Sequence, residues 1–184
     1  MIQKILFLII LPLTVFSYAS DKLPAKSIFQ LDHKWTTEKK QVVPLSSLRG
    51  HPTIVTMLFT SCPGACPLLV SDMKSFDQQL TAEEKKQVRY AAFSIDADRD
   101  NPDVLEAFFK KMSLNDRWTL FTSDKDQVRE LAAALGFSYK PVGNEFTHST
   151  SIFLLSADGE ILSRKERSDD WKDFLAKFKT ELKK

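Results

Sequence analysis

The chain has 184 residues, 43% apolar and 27% charged, with a formal net charge of +2. That length sets a single domain able to bury a real core, and 26 basic against 24 acidic residues leave nucleic-acid binding without electrostatic support. Two cysteines can neither staple a disulfide scaffold nor fill a four-thiolate zinc site, and one apolar run at the front excludes a multi-span membrane protein.

Residues 1–19 read as a signal peptide. Lys4 precedes an apolar stretch from Ile5 to Phe16, and Ser17-Tyr18-Ala19 places small residues where a signal peptidase cuts. Cleavage after Ala19 removes one lysine and leaves the mature chain at +1. An uncleaved segment would instead be a membrane anchor, reaching across only if the run extends through Tyr18 and Ala19. Either way the domain is expected in the periplasm or otherwise outside the cytoplasm, where cysteine pairs can oxidise. Residues 20–27 form a polar tether and residues 28–184 one domain.

Within that domain, Ile28–Leu31 and Gln41–Val43 are β-type runs around a charged turn, an N-terminal hairpin. Thr53–Phe59 is an almost unbroken apolar, β-branched run, expected of a central strand buried on both faces. Leu68–Leu80 has helical spacing, and Thr81-Ala82-Glu83-Glu84 is a capping box for a short helix. Arg89–Ile95 reads as strand, and Asn101-Pro102 opens a helix to about Lys111. A short strand at Trp118–Phe121 precedes a helix over Asp124–Leu135, stopped by Gly136. Ser151–Leu155 and Glu160–Ser163 are strands about an Asp158-Gly159 turn. Ser168-Asp169-Asp170 caps a last helix with the stripe Trp171, Phe174, Leu175 and Phe178. The alternation predicts an α/β domain, one central mixed sheet with helices on both faces.

Cys62 and Cys66 stand in Phe59-Thr60-Ser61-Cys62-Pro63-Gly64-Ala65-Cys66-Pro67, between the central strand and a helix. The carboxyl ends of strands in such sheets open into functional crevices, and helix amides there lower a thiol's pKa. If the segment turns helically, residues four apart share a face and both sulfurs converge. They can then close a disulfide or hold a soft cation; two thiolates favour Cu(I), whereas Cu(II) wants nitrogen too. His148, in a loop before the Ser151–Leu155 strand, supplies that nitrogen if this strand neighbours Thr53–Phe59. His33 and His51 read as surface residues, Met57 and Met73 as core, and Trp35, Trp118 and Trp171 as packing. Asp96, Asp98 and Asp100 are strand-end and turn residues, with Asp96 the candidate outer partner of the site.

The motif F-T-x-C-P-x-x-C-P after an apolar strand resembles that of the SCO/SenC family, as do Ser94-Ile95-Asp96 through Arg99-Asp100, Trp118-Thr119, and His148 ahead of Asp158-Gly159-Glu160-Ile161. The resemblance runs from about Ile28 to Ile161. It implies a thioredoxin-like fold and a copper-handling protein of cytochrome c oxidase assembly, with Cys62, Cys66 and His148 as copper ligands for Cu(I) or Cu(II). Gly64, Ala97 and Thr147 depart from the family pattern and leave the site less anionic. The leading expectation is therefore a monomeric metallochaperone that delivers copper to an oxidase subunit or another copper-accepting protein. The alternative is an enzyme, a thiol–disulfide oxidoreductase whose redox pair Cys62 and Cys66 reduces the target's cysteines before metallation. A peroxide-reducing thiol lacks an assignable arginine.

Overall fold

The computed structural model describes residues 22–184, so the signal-peptide expectation for residues 1–19 lies outside the described residues. The architecture grows from the run that the sequence marks most strongly. Strand β3 (Thr53–Leu58) is buried at all six positions and lies inside a seven-stranded mixed sheet, next to its middle strand. The sheet order is β2-β1-β5-β4-β3-β8-β9, with β1 at Lys34–Thr37, β2 at Val42–Pro44, β4 at Arg89–Ser94, β5 at Trp118–Thr122, β8 at Ser151–Leu155 and β9 at Ile161–Glu166. β3, β4 and β5 run parallel; β8 pairs antiparallel with β3, and β1 with β5.

Helices cover both faces, and one strand proves it. On β9, Lys165 lies over the Trp171 ring at the start of α5 (Lys172–Glu181). Its neighbour Arg164, pointing the other way as strand residues do, donates to the Gly136 carbonyl that ends α4 (Lys125–Leu135). With α5 lies α1 (Ala65–Gln78), whose Phe76 meets Phe174 and Phe178 edge-on. Three capping expectations hold: α2 (Ala82–Gln87) carries the Thr81/Glu84 box, α3 (Pro102–Lys111) is capped by Asn101, and α4 by Asp124. α5 instead has Trp171 at its N-cap with no side-chain cap, and of the expected Ser168-Asp169-Asp170 cap only Asp170 reaches the helix, accepting the Lys172 N–H at 2.9 Å. Gly136 ends α4 at φ +69°, a conformation glycine reaches without strain.

The N-terminal hairpin exists, but shifted. Ile28–Gln30 is a 3-10 turn rather than a strand, because the Ser27 hydroxyl accepts the Phe29 N–H and the Gln30 N–H donates to the Ser27 carbonyl. The hairpin pairs β1 with β2, burying Trp35 edge-on against Phe93. The final strand runs on to Glu166, past the expected Ser163. Between α4 and β8 lies a hairpin not expected from the sequence, β6 (Tyr139–Val142) and β7 (Glu145–His148). Its two-residue turn is Gly143-Asn144, with Gly143 at φ +60°.

At the opposite end of β4 from its junction with the Asp96–Asp100 loop, Arg117 grips Asp77 through both guanidinium nitrogens, and the Tyr90 hydroxyl donates to the same carboxylate at 2.8 Å. Partial burial raises the Asp77 pKa, but the Arg117 and Tyr90 hydrogen bonds outweigh it and hold the carboxyl below its usual range. A depressed folded pKa stabilises the protein above the unfolded value and loses that contribution as pH falls through the folded one. The pair lies between the exposed and buried limits, with side chains 19% and 16% exposed. Asp77→Ala should therefore cost about 2 kcal/mol in denaturant titrations at neutral pH, and markedly less near pH 3.

Candidate metal centre

The site starts at the carboxyl end of β3. After Leu58 the chain leaves the sheet through Phe59 and Thr60, turns at Ser61–Gly64, and enters α1 at Ala65. Cys62 thus sits ahead of the helix rather than within a helical turn. Its sulfur nevertheless converges on Cys66, because it accepts the Cys66 backbone N–H at 3.4 Å. Cys66, in the first turn of α1, is fully buried, and its own sulfur accepts the Phe59 N–H at 3.5 Å. Cys62 is half-buried.

His148 arrives from the far side. It ends β7 instead of lying in a loop, and the difference matters. Register pairing with Tyr139 and the Ser149 N–H bond to the Ser138 carbonyl fix the foot of the hairpin. The imidazole stacks on Phe137 at 5.9 Å between centroids and meets Phe59 edge-on at 5.8 Å. Its Nδ1 lies 2.7 Å from the Ser149 carbonyl, an acceptor only, so Nδ1 carries the proton and Nε2 keeps its lone pair. That Nε2 lies 3.7 Å from the Cys66 sulfur. The two sulfurs and an imidazole nitrogen all fall within 4.8 Å of one another.

The electrostatics differ from expectation at one cysteine. The helix start was expected to lower a thiol's pKa, yet burial pushes Cys66 well above the ordinary cysteine range, against the lowering effect of the Phe59 N–H. Without a cation Cys66 is a neutral thiol; a bound soft cation would displace its proton.

The remaining candidates scatter. Asp96 bonds Arg99 and lines a groove of about 630 Å³ with Tyr139 and Phe146, and its carboxylate makes no hydrogen bond to the cluster. The nearby acid is Asp100, by its sequence a turn residue; it bonds Thr60, two residues before Cys62. His33 and His51 lie at the surface as expected, half-buried there and hydrogen-bonded to Glu130 and to the Gln87 carbonyl. Met57 and Met73 are core.

The SCO1/SenC family model matches residues 21–183, nearly the whole described chain. The chain belongs to the SCO1/SenC family. It is 31% identical over 125 residues to the SCO1 protein homolog of Bacillus subtilis (strain 168), covering 65% of this chain and 64% of that protein, so it spans less than two thirds of that relative. Among solved structures, BsSco, described as a member of the Sco family of cytochrome c oxidase assembly proteins with a disulfide switch, matches at 26% identity and a TM-score of 0.70, covering 81% of this chain and 90% of that one. Arabidopsis thaliana ScoI, solved with copper bound, matches at 19% identity and a TM-score of 0.68, covering 82% and 95%, a likeness of fold.

In this SCO1/SenC domain the two thiols should differ sharply towards alkylation. Cys62 is reachable, while Cys66 is fully buried with a raised pKa. Iodoacetamide at neutral pH should label Cys62 at least roughly tenfold faster than Cys66, read by peptide mass spectrometry. Equal rates would mean that Cys66 is not sequestered as the packing dictates.

Proposed function

We propose that the chain is an extracytoplasmic copper-binding metallochaperone for assembly of the cytochrome c oxidase copper centre. Copper is its cargo, held by Cys62, Cys66 and His148 and passed by ligand exchange to an oxidase subunit or another copper-accepting protein. One observation carries this reading: two sulfurs and one imidazole nitrogen converge within 4.8 Å, on three separately anchored pieces of backbone. Two thiolates suit Cu(I), and the imidazole adds the nitrogen that Cu(II) requires, so one donor set serves both oxidation states. BsSco's membership in a family of cytochrome c oxidase assembly proteins supports the same assignment, and the copper-bound Arabidopsis ScoI shares the fold.

The exposure of the donors suits delivery. Cys66 is closed off, whereas Cys62 and His148 are half-buried and open to an approaching acceptor. An acceptor thiolate or imidazole can therefore replace the two outer donors first and Cys66 last. The front of the chain supports export: the Ile5–Phe16 run followed by Ser17-Tyr18-Ala19 is a cleavable signal, or an anchor if retained. Among the described residues no helix is long and apolar enough to cross a membrane.

The same cysteine geometry supports a second reading, a thiol–disulfide oxidoreductase. The more exposed Cys62 would attack a target disulfide, and Cys66 would then attack the mixed disulfide, leaving the target with two thiols and this chain with a Cys62–Cys66 bond. The histidine separates the two readings. Titration of the reduced protein should show one tightly bound copper ion. Cys62→Ser should cost roughly a hundredfold or more, and His148→Ala about ten- to a hundredfold, with the larger loss for Cu(II). Absence of copper binding at stoichiometric addition would sink the chaperone reading. Disulfide turnover that needs both cysteines but survives His148→Ala would put the reductase in its place.

A further inference from the structure

The strand-to-cysteine turn hangs on a buried carboxylate. Asp100 is 1% exposed, and its Oδ2 accepts the Thr60 N–H at 3.0 Å and the Ser94 hydroxyl at 2.6 Å, while Oδ1 accepts the Thr60 hydroxyl at 2.5 Å. The Ser94 oxygen is itself an acceptor for the Asp96 N–H at 3.0 Å, so its proton is directed to Asp100. Three donors converging on one carboxyl are the pattern of the ionised form, and all three are uncharged groups. Asp100 thereby joins the ends of β3 and β4 at the place where the chain departs for Cys62.

Its charge is also close to the sulfurs. Consecutive amides face the two groups: the Phe59 N–H points to the Cys66 sulfur at 3.5 Å, and the Thr60 N–H to Asp100. Consecutive amide nitrogens are about 3.5 Å apart, so sulfur and carboxylate lie within roughly 10 Å through the protein interior. Two unit charges at that separation shift an equilibrium roughly tenfold at the effective screening of protein interiors. Gly64 and Thr147, which flank the ligands in sequence, contribute no charge to offset or reinforce this one.

We propose that Asp100 is the positioning residue of the cluster: it clamps the turn that presents Cys62, and its buried charge disfavours the more negative states of the site. Two thiolates and a neutral imidazole make a neutral site with Cu(II); one added electron makes it singly negative with Cu(I). Asp100 thus biases bound copper toward Cu(II). This rests on the copper site of the metallochaperone reading.

Asp100→Asn separates charge from clamp, because the amide oxygen can still accept from Thr60 and Ser94 while its NH2 donates to the Thr60 hydroxyl. In the full chain it should raise the Cu(I)-to-Cu(II) affinity ratio roughly tenfold, equivalent to about +59 mV in the copper potential. Thr60→Val, which removes one bond to Asp100 but leaves the charge, should keep the parent ratio. If Asp100→Asn does not fold by thermal unfolding, Asp100→Ser, which also removes the charge, decides: a tenfold rise in the ratio supports the charge assignment, and the parent ratio overturns it. Parent protein that binds no copper would discard the chaperone reading and the copper bias with it, whereas copper binding with the ratio unmoved in Asp100→Asn would discard Asp100 and keep the chaperone.

Discussion

The pairing of β3 with β8 is the constraint on which the site depends. Thr56 sits opposite Ile152, and Thr53 opposite Leu155, so the carboxyl end of β3 lies beside the start of β8. The Thr56 hydroxyl donates to the Ser151 carbonyl at 2.9 Å, adding a side-chain bond in the same register. Both strands are buried throughout, so a one-residue slip would turn every side chain to the opposite face and empty two layers of core at once. That apolar penalty, far more than any contact within the site, keeps His148 at the cysteines. Only Ser149 and Thr150 separate it from β8, which leaves little chain through which its position could drift.

Local chemistry explains which parts were legible in the sequence. β3 announced itself as an apolar, β-branched run, and Thr81, Asn101 and Asp124 announced helix starts, because each signal acts on backbone groups two or three residues away. The cysteine and histidine positions were visible through their motif. What the sequence hid depended on partners distant along the chain or on weak local signals. Ile28–Gln30 looks like strand by composition and is curled by Ser27. The β6–β7 hairpin is mostly exposed and lacks apolar alternation, although Gly143-Asn144 was a readable turn signal. Asp100 resembles a spaced acidic loop until Thr60, forty residues earlier, is seen to bond it.

Burial and exchangeability meet at the two cysteines. A fully buried thiolate without a cation would be costly, so Cys66 keeps its proton until a metal displaces it. The protein therefore holds no preformed buried anion at that sulfur in the absence of a metal. Cys62 has the opposite arrangement, half-exposed with its sulfur accepting the Cys66 N–H, while His148 is oriented by one carbonyl and two aromatic rings. A soft cation would be gripped from below by a donor that cannot leave easily and from above by two that can. The proposed metallochaperone would need that asymmetry. Three equally enclosed donors would bind copper without a route for an acceptor, and three equally exposed ones would surrender it to any competing thiol.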